Sequence, residues 1–174
     1  EIKKLIAEPF FDVGYSNESG LRELIQRAGS TMDQIELDLE RTLVDEFLRE
    51  VMQTNPKATY GEVMIRSALD QGAVQTLLLS EAITKRRVYW TCKECKKEWA
   101  STVDSATKSG NCPDCSSSNL TKDESRTVDL IDELSVLAGH TSANVRLISL
   151  DTEEGATMHS AFGGIAALLR YPIS

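Results

Sequence analysis

Between residues 33 and 53 an apolar side chain returns at every fourth position. Ile35, Leu39, Leu43, Phe47 and Val51 form one line, widened by Val44 and Leu48, and Glu36, Asp38, Glu40, Arg41, Asp45, Glu46, Arg49 and Glu50 fill the gaps. That period predicts an amphipathic helix with a solvated, charged outer face. Asn55-Pro56 stops it. A shorter run, 18–29, sets Leu21, Leu24, Ile25 and Ala28 on one helical face, with Ser16, Asn17 or Ser19 as cap and Gly29 as the expected end. A third helix is expected up to about Gln71. Thr59 and Glu62 have capping-box spacing before it, and Gly72 suits the position just past its end.

The period then changes. VQTLLLS (74–80) follows a turn signal and reads as a buried strand. Residues 127–138 return to helical spacing through Val128, Leu130, Ile131, Leu134, Leu137 and Ala138, with Gly139 as the expected end. ANVRLISL (143–150) is a strand with Val145 and Leu147 on one side. Residues 152–162 form a short helix capped by Thr152, and IAALLRY (165–171) is a last apolar strand after Gly163-Gly164. Helices alternating with strands in this way predict an α/β domain with helices on both faces of a sheet.

Composition narrows the function classes. The 174 residues carry a formal net charge of -8, with 41% hydrophobic and 26% charged residues. One domain with a small insertion fits that length, and it can bury a real core. An acidic chain is a poor general sleeve for nucleic acid, which needs a basic face. No apolar run approaches the ~18 residues of a membrane span, and EIKKLIAEPFF is too short and mixed for a secretory signal. A cytoplasmic location, no membrane partner and a monomer are expected. The chain begins without Met, as a piece of something longer would.

The strongest local signal is CKECKKEWASTVDSATKSGNCPDC (92–115). It holds all four cysteines of the chain, as two C-x-x-C pairs sixteen residues apart. This is zinc-ribbon spacing. Each C-x-x-C turn aims two sulfurs at one centre, and two turns close a tetrahedral thiolate shell with no open position. Cys92, Cys95, Cys112 and Cys115 are therefore expected to hold one structural Zn2+. Two disulfides are the alternative, disfavoured inside a cell. CPDC alone would suit a redox pair, but the second pair argues against it. The polar stretch SATKSGN is expected at a hairpin tip.

Charge marks the insertion as a module. Lys85 to Lys122 carries a formal +4, leaving -12 for the rest. Four thiolates and one Zn2+ would bring the ribbon to about +2. Lys85, Arg86, Arg87, Lys93, Lys96 and Lys97 lie beside the metal. They, and Lys93, Lys96 and Lys97 above all, are a candidate contact for RNA or an acidic partner, although a solvated surface is the plainer reading. Trp90 and Trp99 are expected to pack against the small metal module rather than stack on bases. No H-E-x-x-H, G-x-S-x-G or phosphate-loop motif occurs, and His140 and His159 read as surface or boundary residues. No nucleophile–base set is visible, so a non-enzyme is expected.

Three stretches carry a family resemblance: DVGYSNESGLRELI (12–25), YGEVMIRSALDQGAVQTLLLSE (60–81) and EEGATMHSAFGGIAALLRY (153–171). They resemble the archaeal and eukaryotic class-1 peptide chain release factors. The first is similar to the hinge before the C-terminal domain, the others to that domain itself. The four cysteines stand where archaeal members carry a Cys-rich minidomain. The ribosome-rescue factor Pelota is similar in YGE, GAV and GGIAALLRY but usually lacks the four-cysteine insertion. Ala166-Ala167 depart from the paired glycines usual in eukaryotic members.

The resemblance implies a three-layer α/β/α sandwich similar to kink-turn-binding ribosomal proteins, with an inserted zinc-ribbon minidomain. The expected division is 1–17 as linker, 18–88 and 120–174 as the α/β domain and 89–119 as the ribbon. It also implies docking to an elongation factor 1-alpha-type GTPase, to an ABC-type ribosome recycling ATPase and to the ribosome. The implied contact residues are Leu168, Leu169, Arg170 and Tyr171, with Tyr60 and Glu62 at the Tyr60-Gly61-Glu62 helix start. The family's Gly-Gly-Gln and Asn-Ile-Lys-Ser motifs, for peptide release and codon reading, are absent from this sequence. A Pelota-like ribosome-rescue factor domain and an RNA-binding zinc-ribbon module are the alternatives.

Overall fold

The computed structural model describes Asp12, residues 14–104 and residues 110–173. Most of the expected 1–17 linker and of the SATKSGN tip lies outside the described residues.

The two predicted N-terminal helices are one element, α1 (Glu18–Val51). Asn17 caps it, its side chain accepting from the N–H groups of Ser19 and Gly20 at 3.1 and 3.2 Å. Gly29 does not end it, because one glycine costs a helix only about 1 kcal/mol. Next come β1 (Ala58–Tyr60), which the sequence pattern misses, and α2 (Glu62–Asp70). The Thr59–Glu62 capping box does not form. Thr59 is held in β1, and Gly61 caps α2 with no side-chain hydrogen bond. Past α2, Gly72 takes a left-handed φ of 64° as its position predicts.

The buried strand β2 (Val74–Ser80) leads into three long strands, β3 (Lys85–Cys92), β4 (Glu98–Asp104) and β5 (Leu120–Asp129). They form their own antiparallel sheet in the order β4-β3-β5. This sheet reaches past the expected insert, 89–119, at both ends. It also shortens the next helix. Arg87 pairs with Val128 and Arg86 with Asp129, so residues 127–129 stay in strand. Helix α3 (Leu130–His140) begins only after them and runs through Gly139. The chain closes with β6 (Asn144–Ile148), α4 (Glu153–Phe162) and β7 (Ile165–Leu169). Thr152 caps α4, its hydroxyl accepting from Gly155 N–H at 3.0 Å.

The main sheet has the order β1-β7-β2-β6. β2 runs parallel to β6 and antiparallel to β7. Alternation along each strand splits the core in two. Leu77, Leu79, Ala167 and Leu169 face α2 and α3, meeting Ile65, Leu69, Leu130 and Leu134. Leu78, Ala166 and Leu168 face α1 and α4, meeting Val44, Phe47 and Met158. The three-layer α/β/α architecture follows. Between α4 and β7, Gly163 and Gly164 take φ of 72° and 76°, and a Cβ on Gly164 would come within 3.0 Å of Ser80 and His159. That pair supplies both a left-handed turn and close backbone approach.

Helix α1 belongs to the core only at its C-terminal end. Phe47 is fully buried, whereas Ile25, on the apolar face of the N-terminal run, is 64% exposed. Phe47→Ala is expected to cost about 3–5 kcal/mol in urea unfolding. Ile25→Ala should stay within about 0.5 kcal/mol of the parent.

Candidate functional site

The four cysteines sit at one end of the three-stranded sheet. Cys92 closes β3, Cys95 lies in the turn before β4, and Cys112 and Cys115 form the second turn before β5. The two turns repeat one backbone pattern. In the first, Lys96 N–H donates to Cys92 O at 3.1 Å and Cys92 N–H to Lys97 O at 2.9 Å. In the second, Ser116 N–H donates to Cys112 O and Cys112 N–H to Ser117 O, both at 2.9 Å. The residue after each second cysteine is left-handed, Lys96 at φ 61° and Ser116 at 57°.

All four sulfurs lie within 4.8 Å of one another. The two facing pairs, Cys92–Cys115 and Cys95–Cys112, are 3.6 and 3.5 Å apart. A disulfide needs about 2.05 Å. A tetrahedral ion with bonds of about 2.3 Å would hold its sulfurs about 3.8 Å apart. The arrangement therefore fits one four-coordinate metal ion, with these four residues as ligands. Such an ion would tie the two turns together and leave no open position for chemistry. The thiols differ in acidity. Burial opposes ionisation of Cys112, yet the Cys115 and Asp114 N–H groups and the neighbouring thiols bring it down to about 7. The Lys97 N–H favours the Cys95 thiolate, but burial and three neighbouring thiols push that group up to about 12. A bound cation overrides such differences by displacing the protons.

The lysines beside the metal turns are exposed. Lys97 pairs with Asp114 at 3.3 Å, linking one turn to the other, and Lys93 N–H donates to Asn119 O. Trp90 and Trp99 are direct cross-strand partners on the sheet. Trp90 is fixed by a hydrogen bond from its Nε1 to Ser101 Oγ at 2.8 Å.

At the opposite end of this sheet, a cluster of charges joins it to the main body. Arg66 of α2 grips Glu133 of α3 with two guanidinium nitrogens, at 3.3 and 2.5 Å, and Glu62 with Nε at 2.9 Å. Arg87 of β3 reaches Glu62 at 3.4 Å, and its Nε lies 3.9 Å from Glu133. Thr102 of β4 donates to Glu62 at 2.6 Å. Burial works against the charge on Arg66, but the bonds to Glu133 and Glu62 outweigh it and hold the guanidinium above its ordinary value. Glu62 is thus an internal junction, half-buried beneath its partners. Its i,i+4 pairing with Arg66 was legible in the sequence. Its links to Thr102 and Arg87 were not, since they depend on the tertiary path.

The other sequence-predicted contact residues separate into two groups. Leu168 and Leu169 are 6% and 3% exposed and point into the two different core layers. Arg170, Tyr171 and Tyr60 are exposed. Tyr60 packs edge-on against Phe162. The Arg170 guanidinium donates to the carbonyls of Gly72, Thr141 and Ser142 at 2.9–3.1 Å. The Tyr171 hydroxyl donates to Gln71 O at 2.7 Å. Both side chains therefore fasten the C-terminal ends of α2 and α3, where carbonyls lack helical partners and the dipole favours a cation. His159 is a boundary residue whose Nδ1 lies 3.0 Å from Ser80 Oγ.

Fold and site together define a three-layer α/β/α domain carrying a four-cysteine ribbon between its second strand and third helix. Comparison with known proteins gives the family. A family profile described as eRF1 domain 3 matches residues 38–173. Peptide chain release factor subunit 1 of Archaeoglobus fulgidus is 41% identical over 161 residues, 92% of this chain and 39% of that protein. The solved C-terminal domain of the peptide chain release factor from Methanosarcina mazei superposes with a TM-score of 0.76 at 38% identity, covering 91% of this chain and 98% of that one. The chain belongs to the eRF1 domain 3 family, the C-terminal domain of peptide chain release factor subunit 1. It spans about two fifths of the length of the curated relatives it matches. A structure titled as ribosome-bound archaeal Pelota and ABCE1 shares the fold, with a TM-score of 0.56, 21% identity and coverage of 94% of this chain and 35% of that one.

Metal analysis is expected to give one ion per chain. Chelation, or Cys112→Ser, should abolish amide protection in residues 85–104 and 110–129 while sparing β2 and β7, as read by hydrogen exchange. Arg170→Ala, which frees three carbonyls, should lower stability by about 1–2 kcal/mol in chemical unfolding.

Proposed function

We propose that this chain is the docking part of a translation termination factor. On the ribosome it engages an elongation factor 1-alpha-type GTPase and then an ABC-type ribosome recycling ATPase. The observation that carries this reading is the full-length correspondence to a release-factor C-terminal domain, 98% of that solved chain. The Pelota and ABCE1 structure supports a ribosomal and ATPase-linked setting, because its Pelota shares this fold. The domain works by presenting a surface. Neither a codon-reading nor a peptide-releasing motif occurs in its sequence, and it acts in the cytoplasm. No helix among the described residues is long and apolar enough to cross a membrane.

The docking corner is Arg170 and Tyr171. Arg and Tyr are frequent interface anchors, and here they are exposed yet pre-ordered by their bonds to helix ends, which lowers the entropy cost of binding. Leu168 and Leu169 act from behind, fixing the strand that carries the pair. Tyr60 lies at the end of the neighbouring strand β1, whose partner in the sheet is β7. The ion in the four-thiolate site is zinc, in a structural role. The ribbon module spans 85–129, and the body the remainder from residue 18. Lys93, Lys96 and Lys97 form its candidate contact to ribosomal RNA.

Calorimetric titration with an archaeal GTPase of this type tests the reading. Binding preferring the GTP-analogue state, weakened about tenfold or more by Tyr171→Ser without loss of fold, is the expected outcome. No binding in either nucleotide state by a folded, metal-loaded domain would overturn it. Replacing Lys93, Lys96 and Lys97 with Glu should reduce co-sedimentation with ribosomes; unchanged sedimentation would remove the ribbon from the contact.

A further inference from the structure

We propose that the free edge of β6, with the groove beside it, takes up an extended basic segment of a partner protein as an added strand. This site is independent of the Arg170–Tyr171 corner and of the GTPase reading.

The edge is open over a defined length. β6 is an outer strand of the main sheet and pairs only with β2. Outside that ladder, no hydrogen bond to another described residue involves the backbone of residues 144–147. The edge ends at Ser149, whose N–H donates to Glu40 at 2.8 Å. About four residues of strand edge are therefore available, and an unprotected edge is a template for pairing with another chain.

The surroundings specify more than backbone pairing. A groove of about 490 Å³ runs between α1 and β6. Its apolar lining includes Leu39, Leu43, Val145 and Leu147. Leu39 and Leu147 are 55% and 54% exposed. On the α1 side of β6, the strand offers Asn144 and Arg146 instead of apolar residues, so the helix does not seal against it. Leu39 of α1 and Leu147, on the opposite face of the edge strand, both remain largely in solvent.

Charge selects the occupant. The groove opens at one end into a second cavity of about 450 Å³ lined by Asp33, Glu36, Glu40, Glu81 and Asp151. Arg146 is the one cationic residue lining either cavity. The carboxylates crowd one another. Burial first, then Glu36, Glu81 and Asp151, push the Glu40 carboxyl up against the lowering effect of Ser149 N–H. A Lys or Arg side chain would relieve that crowding. A second copy of this chain would bring the same acids to the same place, in a chain of net charge -8. An extended segment with apolar residues at alternate positions and Lys or Arg between or after them fits both the groove and its mouth.

The test uses the whole metal-loaded chain and labelled octapeptides that alternate Val or Ile with Lys or Arg, against twins alternating with Glu. Anisotropy titrations are paired with hydrogen exchange. The basic peptides are expected to bind saturably, to protect amides in 144–147 and to lose about tenfold in affinity on Glu36→Lys, an exposed change that leaves the core intact. Leu147→Lys should act in the same direction. Binding of the acidic twins with equal affinity, no saturable binding of any basic peptide up to 1 mM, or protection elsewhere than 144–147 would each overturn the proposal. Sedimentation showing a dimer that Leu147→Lys dissolves would assign the edge to a second copy and overturn it too.

Discussion

The fold depends on closing an excursion. The chain leaves the centre of the main sheet at Ser80 and returns at Leu130 to begin a helix that covers one face of that sheet. The two ends of the excursion must lie side by side, or α3 would start in the wrong place. The pairing of β3 with β5 meets this requirement, since Arg86 stands opposite Asp129 and the two strands exit together. Loop closure over some fifty residues has a real entropic cost, though one that grows slowly with length. The two facing cysteine turns lie at the far end of the same excursion, where one bound ion would tie them together.

Where the strands meet the body, two arginines and two glutamates share a half-buried cluster. Such a cluster is poor evidence of net stability, because desolvation offsets much of the attraction. Its value lies in direction. Glu62 accepts from three different elements and Arg66 bridges two helices, which favours one orientation of the ribbon on the body, with Arg87 Nε left buried without a hydrogen-bond partner among the described residues. Removing one member would leave a charge without its partner in a place where water reaches poorly. Surface pairs such as Arg22–Glu18 have no comparable role, being exposed and screened.

Much of this was legible in the residues. The four-cysteine spacing announced the metal turns, because ligand geometry is encoded locally. The apolar run of β2 and the C-terminal part of the every-fourth-residue stripe, Leu43, Phe47 and Val51, announced the core. Failures occurred where distant pairing outranked local preference. Thr59 and Glu62 have the spacing of a capping box, but β7 claims Thr59 as a strand residue and Thr102, forty positions on, claims Glu62. Residues 127–129 have helical spacing, but β3 holds them. Leu168 and Leu169, which the resemblance groups with Arg170 and Tyr171, are core residues as a short apolar strand implies, and alternation sends each into a different hydrophobic layer. Arg170 itself could not be read as a helix-end clamp, since its three acceptors lie about thirty and a hundred positions away.

Helix α1 is anchored over its last few turns and extends well beyond them. About twenty-five residues precede Val44, a length of roughly 38 Å at 1.5 Å per residue. Pivoting about the anchored end by as little as ~10° would sweep the far tip through roughly 6–7 Å. The helix is thus a lever with its fulcrum in the hydrophobic layer around Phe47. A repacking too small to notice at that fulcrum would become a substantial displacement of whatever the chain carries at the other end.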